Sequence, residues 1–526
     1  MQRARSPEVA TGGFGIGACL GLSGRLRRGG LTASRRRWEM ASKSRWLRVV
    51  ALAVGLAGLG AAAAGADTIE ADLWSRLEAG LTADFVVRFA EQADLSTAYR
   101  MGWHERGGFV VAALREVADR SQAAARAILD ARGASYRPFL AGNEIYVRTG
   151  DAALATALAE LPDVAGIRAP RELSLEPFST AAWTEGEAPT LGWGLVDSGA
   201  TAFWSAFGRQ GEGIVVAEMS SGVQWNHPAL ENAYHCGSDP ADPSCWFDPS
   251  NICGGSMCDN VGVGTAMAGI MVGDDDPTLT YQAGMAPGAE WIACKACETS
   301  SCSMFAIESC ADWLLQPAGN PDNRPHVVVV AWGGGGGDPW FEAKVTAWRA
   351  AGIFPSMRAG NGGPGCASME TPGDYQVSFA AAAHDDTRTI ASFSSRGPSV
   401  FGHEPHTKPN LSAPGVSIWT SVPTNDWSAY SGTSPAAAHV AGAVALLWSC
   451  AGYLVRDVDA TFEVLQATTG GPPAGNCGAP PDGEGNYTYG YGFLNVIQAG
   501  VEFCQPLLFA DGFESGDMSA WSATVP

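Results

Sequence analysis

The sequence has little positive charge outside its first 66 residues. It holds 33 Lys and Arg against 54 Asp and Glu in 526 residues, a formal net charge of -21. Residues 1–66 contain eleven of the basic residues and two of the acidic ones. The remainder therefore carries about -30 by formal count. An acidic body of this kind argues against nucleic acid as a partner, because phosphates require basic contacts.

Nucleotide-binding motifs are absent as well. No phosphate-binding glycine loop, dinucleotide fingerprint or internal repeat occurs in the chain. Hydrophobic residues make up 46% of the sequence, which is enough for a large core, and the length allows more than one domain. We therefore expect a globular protein.

Long apolar runs are scarce. The run that begins at Val49, within "KSRWLRVVALAVGLAGLGAAAAGA", spans about 16 residues, fewer than the ~20 that cross a bilayer. Its basic start and the small residues Ala64-Gly65-Ala66 are typical of a secretory signal, with a transmembrane anchor as the alternative. We predict a signal peptide over residues 40–66 and a secreted protein, extracellular or periplasmic, that has no membrane contact after cleavage. Residues 1–39 are interpreted as an over-extended start.

Cysteine use agrees with export. Of thirteen cysteines, only Cys19 lies in the excluded segment. The twelve others form an even set, which indicates disulfides in an oxidising compartment. Two spacings, Cys294-x-x-Cys297 and Cys253-x4-Cys258, also fit zinc ligands or a redox pair, and we rank these alternatives below structural bridges. The pairing itself stays open.

Two regions follow the signal. Residues 67–169 alternate strand and helix patterns in the order βαββαβ, with a hairpin around Ala141-Gly142, which predicts a small ferredoxin-like α+β module. Residues 170–190 are rich in Pro, Glu, Ser and Thr and are predicted to be a linker. Residues 504–526 form an acidic C-terminal tail without a core pattern.

Residues 191–503 carry a different pattern. Near-continuous apolar runs such as "GIVVAEM" and "HVVVVAW" alternate with helical stretches. Strands that are buried on both faces have this composition, so we predict an α/β domain with a parallel sheet flanked by helices. Functional groups on such sheets gather at the carboxyl ends of the strands.

The sharpest local motif is "SGTSPAAAHVAGAVALLW", from Ser431 to Trp448. Ser434 precedes Pro435, a residue favoured at a helix start, and small apolar residues follow that suit a helix buried on every side. A serine here is either an N-cap, which stabilises by ~1 kcal/mol, or a nucleophile beside free helix N–H groups.

This motif resembles the serine-nucleophile segment of the subtilisin-like proteases, whose usual form is GTSMAxPHVAG. Three further segments resemble that family in the same order: "GIVVAEMSSGVQWNHPAL" its aspartate segment, "VGVGTAMAGIMVG" its histidine segment and "RAGNGGPG" its oxyanion-asparagine segment. Together they resemble the bacillopeptidase F-like branch of the subtilases. The resemblance implies that residues 67–169 correspond to the family's pro-domain, a folding chaperone and inhibitor that would be the chain's own partner.

Carried over residue by residue, the resemblance places the nucleophile on Ser434 and the oxyanion-hole side chain on Asn361. The aspartate position falls on Ser220, seven residues before His227-Pro228. The family's His-Gly-Thr-His corresponds to Val263-Gly264-Thr265-Ala266, so that a valine occupies the position of the general base. The cleft wall corresponds to Ala331, Trp332 and Gly333, with more glycines after them.

The loss of the histidine has a large expected effect. A serine hydroxyl is a poor nucleophile until an imidazole takes its proton, and the same imidazole must protonate the leaving amine. In subtilisin, removal of the histidine alone costs roughly 10⁶ in turnover. We therefore predict an inactive or severely impaired homologue that binds a peptide or polypeptide. The alternatives are an active serine endopeptidase with a relocated base and a purely structural protein.

Few residues could supply a relocated base. His439 follows Ser434 by five positions, about 140° round the helix, and is expected to face elsewhere. Glu218 lies on the same strand face as Ser220 but about 6.6 Å away, and we expect it to form a buried ion pair. No cofactor is predicted. A structural calcium ion at acidic loops such as Asp274-Asp275-Asp276 stays open, although a solvated charge run is the preferred interpretation.

Overall fold

The computed structural model describes residues 68–175, 191–274, 282–399, 401, 406–481 and 483–504. The predicted signal peptide, most of the predicted linker and nearly all of the acidic tail lie outside these residues. Within them, no helix is both long enough and apolar enough to cross a bilayer.

The N-terminal module is a four-stranded antiparallel sheet with helices, in the strand order β2-β3-β1-β4. This is the βαββαβ arrangement that the sequence predicts. The elements are α1 (Ala71–Glu78), β1 (Ala83–Phe89), α2 (Trp103–Ser121), α3 (Ala123–Ala131), β2 (Tyr136–Phe139), β3 (Glu144–Gly150), α4 (Ala152–Ala159) and β4 (Val164–Arg168), followed by the short strand β5 (Glu172–Ser174).

The sequence from Val111 to Arg132, rich in Ala, Arg and Leu, predicts one helix, whereas the structure has two, and the first begins earlier, at Trp103. Helices α2 and α3 meet at Gln122, whose side chain is buried and donates to the carbonyl of Phe139. Two adjacent glycines, Gly107 and Gly108, lie in the first half of α2 and lower its intrinsic helix propensity. The sequence pattern therefore does not indicate where this helix begins.

Both faces of the module's sheet are buried. Phe85 and Val87 of β1 belong to the module's own core, whereas Val86 between them joins the core of the larger domain. Tyr146 of β3 likewise joins the larger core. Since side chains alternate along a strand, one face of the sheet packs on its own helices and the other on the larger domain.

The larger domain contains a seven-stranded parallel sheet in the order β13-β12-β11-β10-β6-β8-β7. All four residues of β10 are fully buried, as predicted for a strand covered on both faces. This confirms the predicted subtilisin-like α/β architecture. Its strands are β6 (Val215–Ser220), β7 (Trp246–Phe247), β8 (Glu290–Lys295), β10 (Val327–Val330), β11 (Phe354–Arg358), β12 (Phe379–His384) and β13 (Leu411–Pro414).

Helices cover this sheet, and two short strand pairs lie outside it. Helix α10, from Thr433 to Cys450, is buried continuously from Thr433 to Trp448 and packs on β10 to β13, as the sequence predicts. The helices are α5 (Trp193–Asp197), α6 (Ala200–Phe207), α7 (Val263–Val272), α8 (Met304–Leu315), α9 (Glu342–Ala351), α10, α11 (Val458–Ala467) and α12 (Val496–Phe503), and the additional strands are β9 (Ser301–Ser303), β14 (Ile418–Val422) and β15 (Asp426–Tyr430).

Six disulfides pair all twelve of the cysteines that follow the predicted signal peptide. Cys294 and Cys297 are not bonded to each other, whereas Cys253 is bonded to Cys258. Among the described residues, these bridges leave no thiol for the zinc alternative, and Cys294 and Cys297 do not form a redox pair with each other. The bridges are Cys236–Cys245, Cys253–Cys258, Cys294–Cys310, Cys297–Cys302, Cys366–Cys477 and Cys450–Cys504.

Candidate active site

Ser434 is the second residue of α10, as its motif predicts. The preceding Gly432 has an extended backbone, and Pro435 follows in the first helical turn. The Ser434 side chain is almost fully buried, and its Oγ donates to the carbonyl oxygen of Ala331, 3.2 Å away. The nearest acceptor for this proton is therefore a neutral amide carbonyl.

Asn361 lies beside Ser434, in the loop that follows β11. Its Oδ1 accepts hydrogen bonds from both the backbone N–H and the hydroxyl of Thr433, each at 2.9 Å. Its own backbone N–H donates to Glu370 Oε1 at 3.0 Å. The fold thus brings together the two residues for which the motif comparison assigns chemistry.

Ser220 and Val263 lie at the ends of two elements that meet near this helix. Ser220 is the last residue of β6 and Val263 is the first residue of α7, which packs against both β6 and α10. Both side chains are buried. Val263 presents only an aliphatic side chain here, which can neither accept nor donate a proton.

A buried carboxyl group adjoins these two residues. Glu218 Oε1 accepts the hydrogen bond of the Ser220 hydroxyl, and within the described residues its Oε2 has no hydrogen-bond partner. A Cβ placed on Gly264 would come within 2.6 Å of this Oε2, so the carboxyl lies against the first turn of α7. The Glu218 carboxyl thus lies beside Ser220, the position that the family resemblance assigns to an aspartate.

We expected Glu218 to form a buried ion pair, and that prediction is wrong. Complete burial raises the pKa of Glu218 to about 8, and the hydrogen bond from Ser220 only partly offsets the rise. The buried ammonium group of Lys295 instead donates to Asn260 Oδ1 at 2.6 Å and to the carbonyl of Ser221. At neutral pH Glu218 is therefore largely the neutral acid.

None of the seven described histidines hydrogen-bonds to Ser434. His439 is buried and pairs with the carbonyl of Pro435 at 2.9 Å, and burial lowers its pKa to about 4, so it is the packed helix histidine that we expected. His403 lies outside the described residues. Ring partners of the other six histidines include Asp322 for His104, Asp426 and Ala229 for His227, Glu290 for His235, Val215 for His326, Asp197 and Ser412 for His384, and Asp374 for His406.

A strand of the same chain lies in a groove beside the segment whose Ala331 carbonyl accepts from Ser434. β5 pairs antiparallel with β9, placing Leu173 opposite Cys302, and the N–H of Leu175 donates to the carbonyl of Ser300 at 2.8 Å. On its other side, Ser174 forms an antiparallel bridge with Gly333. The segment is therefore held as the middle strand between two edges.

The predicted cleft residues divide into two groups. Gly333 contacts the inserted strand, and the carbonyl of Ala331 accepts from Ser434. Trp332 is fully buried, and its ring packs on Phe341 in the core, with 5.1 Å between the centroids. Its side chain consequently does not line the groove, because strand alternation turns it inward between two residues that face the cleft.

Two of the glycines from Gly333 to Gly337, namely Gly333 and Gly336, approach neighbouring backbone closely, whereas no atom lies within 4 Å of a Cβ placed on Gly335. A Cβ on Gly336 would lie 2.5 Å from the carbonyl oxygen of Met369, and Gly337 has a positive φ and donates to Asp374 Oδ2. Gly335, Gly336 and Gly337, together with Gly362 of the Asn361 loop, border a cavity of about 280 Å³. Glycine is needed at position 336 for the close backbone approach and favoured at position 337 by the positive φ.

The structure offers no support for a metal centre. Across the residues that it describes, no three His, Cys, Asp or Glu side chains lie close enough to hold an ion. Asp275 and Asp276 of the acidic run lie outside those residues.

Comparison with known proteins places these features in a family. The model described as "Subtilase family" matches residues 211–490. Bacillopeptidase F from Bacillus subtilis (strain 168) is 38% identical over 327 residues, covering 58% of this chain and 22% of that protein. Serine protease AprX from the same strain is 30% identical over 224 residues, 40% of this chain and 47% of the relative.

A third relative, Subtilisin DY from Bacillus licheniformis, is 33% identical over 195 residues, 36% of this chain and 65% of that protein. The chain thus spans less than two thirds of the length of each of these three relatives. The sheet topology, the ordered motifs and the match over residues 211–490 agree, and the chain belongs to the subtilase family, in its bacillopeptidase F-like branch.

Proposed function

We propose that this subtilase homologue is secreted, proteolytically inactive or severely impaired, and able to bind an extended peptide in its cleft. The proposal rests on one observation: the hydroxyl of Ser434 donates its hydrogen bond to a backbone carbonyl rather than to an imidazole. Without a base to take its proton, a serine hydroxyl attacks amides very slowly. An oxyanion hole and substrate binding alone give a residual rate of roughly 10³ to 10⁴ over water.

The remaining carboxyl group is a weak candidate for a relocated base. A general base must be ionised and within reach of the proton that it accepts. Glu218 is largely protonated at neutral pH, and its hydrogen-bond partner is Ser220 rather than Ser434. An active endopeptidase that uses Ser434 stays the alternative, and it requires a base from elsewhere.

Peptide binding is supported by the way in which the chain fills its own groove. Strand addition between two edges supplies backbone hydrogen bonds without any catalytic group. Along the inserted segment, Leu175 is buried and Leu173 is half-buried, whereas Glu172 and Ser174 are exposed. An external ligand of the same extended form would have to displace this segment.

A competition experiment tests this binding. A fluorescent peptide with the sequence of residues 171–175 is titrated against the protein and its Leu175→Asp variant, and fluorescence anisotropy is measured. Leu175→Asp weakens the internal strand because it buries a charge, so we expect tighter peptide binding by this variant. Ser174→Ala, at an exposed position of the same strand, is the matched control. Absence of peptide binding by all three proteins would favour the purely structural alternative.

Catalysis is tested separately with an unfolded protein as substrate. We expect no cleavage above that of a Ser434→Ala variant, and no self-processing in residues 170–190. Cleavage or processing that is lost in Ser434→Ala would establish the active endopeptidase instead.

Secretion is supported by the six disulfides, which persist in oxidising compartments. The predicted signal peptide is tested by N-terminal sequencing of exported protein, for which we expect a start near Asp67. A start at Met1 or Met40 would contradict it.

A further inference from the structure

A cavity of about 380 Å³ lies between β1 of the N-terminal module and the start of α9. Its volume falls within the range of small-molecule sites, roughly 300–1,000 Å³. Neither Ser434 nor the inserted strand β5 contributes to its lining, so it is separate from the candidate active site. The lining favours a ligand with an apolar part, because its buried residues include Phe89, Leu95, Leu114, Ala141 and Trp340.

Positive charge is in excess beside this cavity. Glu144 Oε1 lies 3.3 Å from Arg88 Nε and 3.0 Å from Arg168 Nη2. The other oxygen of the same carboxylate, Oε2, lies 2.7 Å from Lys344 Nζ. A second carboxyl group beside Lys344, on Glu308, has a pKa raised well above the usual value by burial and by Glu144. Glu308 is therefore the neutral acid, and three cations share one carboxylate.

Arg88 is the most exposed of these three cations and lines the cavity. Its side chain is 43% exposed, against 12% for Arg168 and 1% for Lys344. Its Nε faces Glu144, and within the part of the chain that the structure describes its two Nη groups make no hydrogen bond. Neighbouring guanidinium N–H groups bind a carboxylate through parallel hydrogen bonds. Arg88 therefore offers a place for the carboxylate of a ligand.

A carboxyl group of the protein lies on the same lining without a cation. Glu342 is the first residue of α9 and is half-buried. Burial and, to a smaller extent, Asp374 raise its pKa. None of the residues that the structure describes hydrogen-bonds to its side chain or forms an ion pair with it. A partly desolvated carboxylate is stabilised by a cation, and an ammonium group of a ligand would supply one.

We propose that this cavity binds a free amino acid with an apolar side chain. The α-carboxylate pairs with Arg88, the α-ammonium group pairs with Glu342, and the side chain lies against Leu95 and Leu114. A ligand with only one of the two charges leaves either Arg88 or Glu342 without a counter-ion. The cavity therefore selects the zwitterion over a simple apolar acid or amine.

The proposed site needs both parts of the chain. Arg88 belongs to the module and Glu342 to the larger domain, so the bound amino acid bridges the two. A ligand that binds only this folded arrangement raises the melting temperature as its concentration increases. The inference goes beyond peptide binding in the cleft, and it holds whether or not Ser434 is active.

Isothermal titration calorimetry of the full chain tests the proposal with L-leucine, isocaproate and L-leucinamide. Isocaproate has the carboxylate and the apolar chain of leucine but no ammonium group, and leucinamide has no carboxylate. We expect leucine to bind about tenfold more tightly than either analogue, because each analogue loses one ion pair. Absence of leucine binding at millimolar concentration, or equal binding of leucine and either analogue, would overturn the proposal.

Two charge variants identify the groups that the ligand contacts. Glu342→Gln is expected to weaken leucine binding and to leave isocaproate binding unchanged. Arg88→Gln is expected to weaken leucine binding and to leave leucinamide binding unchanged. Glu231→Gln and Arg76→Gln, at exposed positions outside the lining, are the matched controls and should bind leucine as the unmodified protein does. Unchanged leucine affinity in Glu342→Gln or Arg88→Gln would overturn the proposal.

A third variant tests the place of binding. Ala90 lies on the lining at an exposed position, so Ala90→Trp obstructs the cavity without placing a charge in the core. We expect this variant to keep its melting temperature without ligand and to lose the rise that leucine causes. Ala90→Ser, which adds little volume, should keep that rise. A rise in Ala90→Trp equal to that of the unmodified protein would locate binding elsewhere and overturn the proposal.

Discussion

The hydroxyl of Ser434 donates its hydrogen bond to the carbonyl oxygen of Ala331, 3.2 Å away. A carbonyl oxygen orients the hydroxyl but is far too weak a base to remove its proton. Asn361 nevertheless lies beside the helix that carries Ser434, and a strand of the same chain fills the groove. Among the described residues, the Ser434 hydroxyl thus has a carbonyl rather than an imidazole as its hydrogen-bond acceptor.

Glu218 should make stability fall as the pH rises. Its pKa is raised by burial from 4.5 to about 8 in the folded protein. Its contribution is complete below about pH 4.5 and is lost as the pH rises through about 8, because the unfolded chain releases this proton earlier. The upper limit of the loss is about 1.4 kcal/mol per pH unit over that interval.

The Glu218→Gln variant removes this proton equilibrium and keeps the shape of the side chain. We expect its melting temperature to decline less between pH 5 and pH 8 than that of the unmodified protein, measured by circular dichroism. Glu231→Gln, at an exposed position, is the matched control and should follow the unmodified protein. Equal slopes for Glu218→Gln and the unmodified protein would show that Glu218 is ionised in the folded state.

His439 should act in the opposite direction. Burial lowers its pKa from 6.5 to about 4, so the neutral ring is the folded form. The stability that it contributes is present above about pH 6.5 and is lost as the pH falls through about 4. Histidine NMR titration of the native protein should find the His439 ring neutral at pH 5, together with the ring of His326, whose pKa burial lowers to about 3. Titration of every ring near pH 6.5 would contradict the packed, neutral assignment.

The disulfides should differ in their effect on stability according to the length of chain that they close. Cys366 and Cys477 are 111 residues apart, whereas Cys253 and Cys258 are five apart. Loop-closure entropy predicts losses of about 5 and about 2 kcal/mol when each pair is replaced by serine. Urea unfolding measures both free energies. A larger loss from the short loop would mean that local contacts, rather than chain entropy, dominate.

The glycine segment beside Asn361 should tolerate no side chain at Gly336. A Cβ there would lie 2.5 Å from the backbone oxygen of Met369, which cannot rotate away. We expect Gly336→Ala to cost about 1–3 kcal/mol of unfolding free energy and to weaken peptide binding in the adjoining groove. Gly365→Ala, where no atom lies within 4 Å of the Cβ position, serves as the control. Equal stability of the two variants would contradict the close packing.

Much of the fold could be predicted from the periodicity of the sequence. Buried strands such as Val327–Val330 are uniformly apolar, and the helix after Ser434 is small and apolar on every side, so that burial is visible in composition alone. The start of α2 could not be predicted, because Gly107 is present for contact with Arg324 rather than for helix propensity. Helix propensity concerns a single helix, whereas Gly107 is needed where this helix packs against another part of the chain.

The site was partly predictable for a related reason. Ser434 and Asn361 lie in ordered motifs that a sequence displays directly. The environment of Glu218 depends on Lys295, which hydrogen-bonds to Ser221 and Asn260 and so does not serve as its ion-pair partner. Trp332 turns into the core because it lies between two residues that face the cleft. These are tertiary contacts between residues that are distant in the sequence, so no local sequence pattern predicts them.

The most direct test of the central claim is the reaction of Ser434 with a fluorophosphonate probe, which labels activated serines. The unmodified protein is compared with a variant that carries Val263→His and Ser220→Asp, and with the same variant that also carries Ser434→Ala. We predict that only the first of these variants is labelled, which would mean that the cleft is intact and lacks only its base. Labelling of the unmodified protein at Ser434 would contradict the account and show that another residue activates the serine.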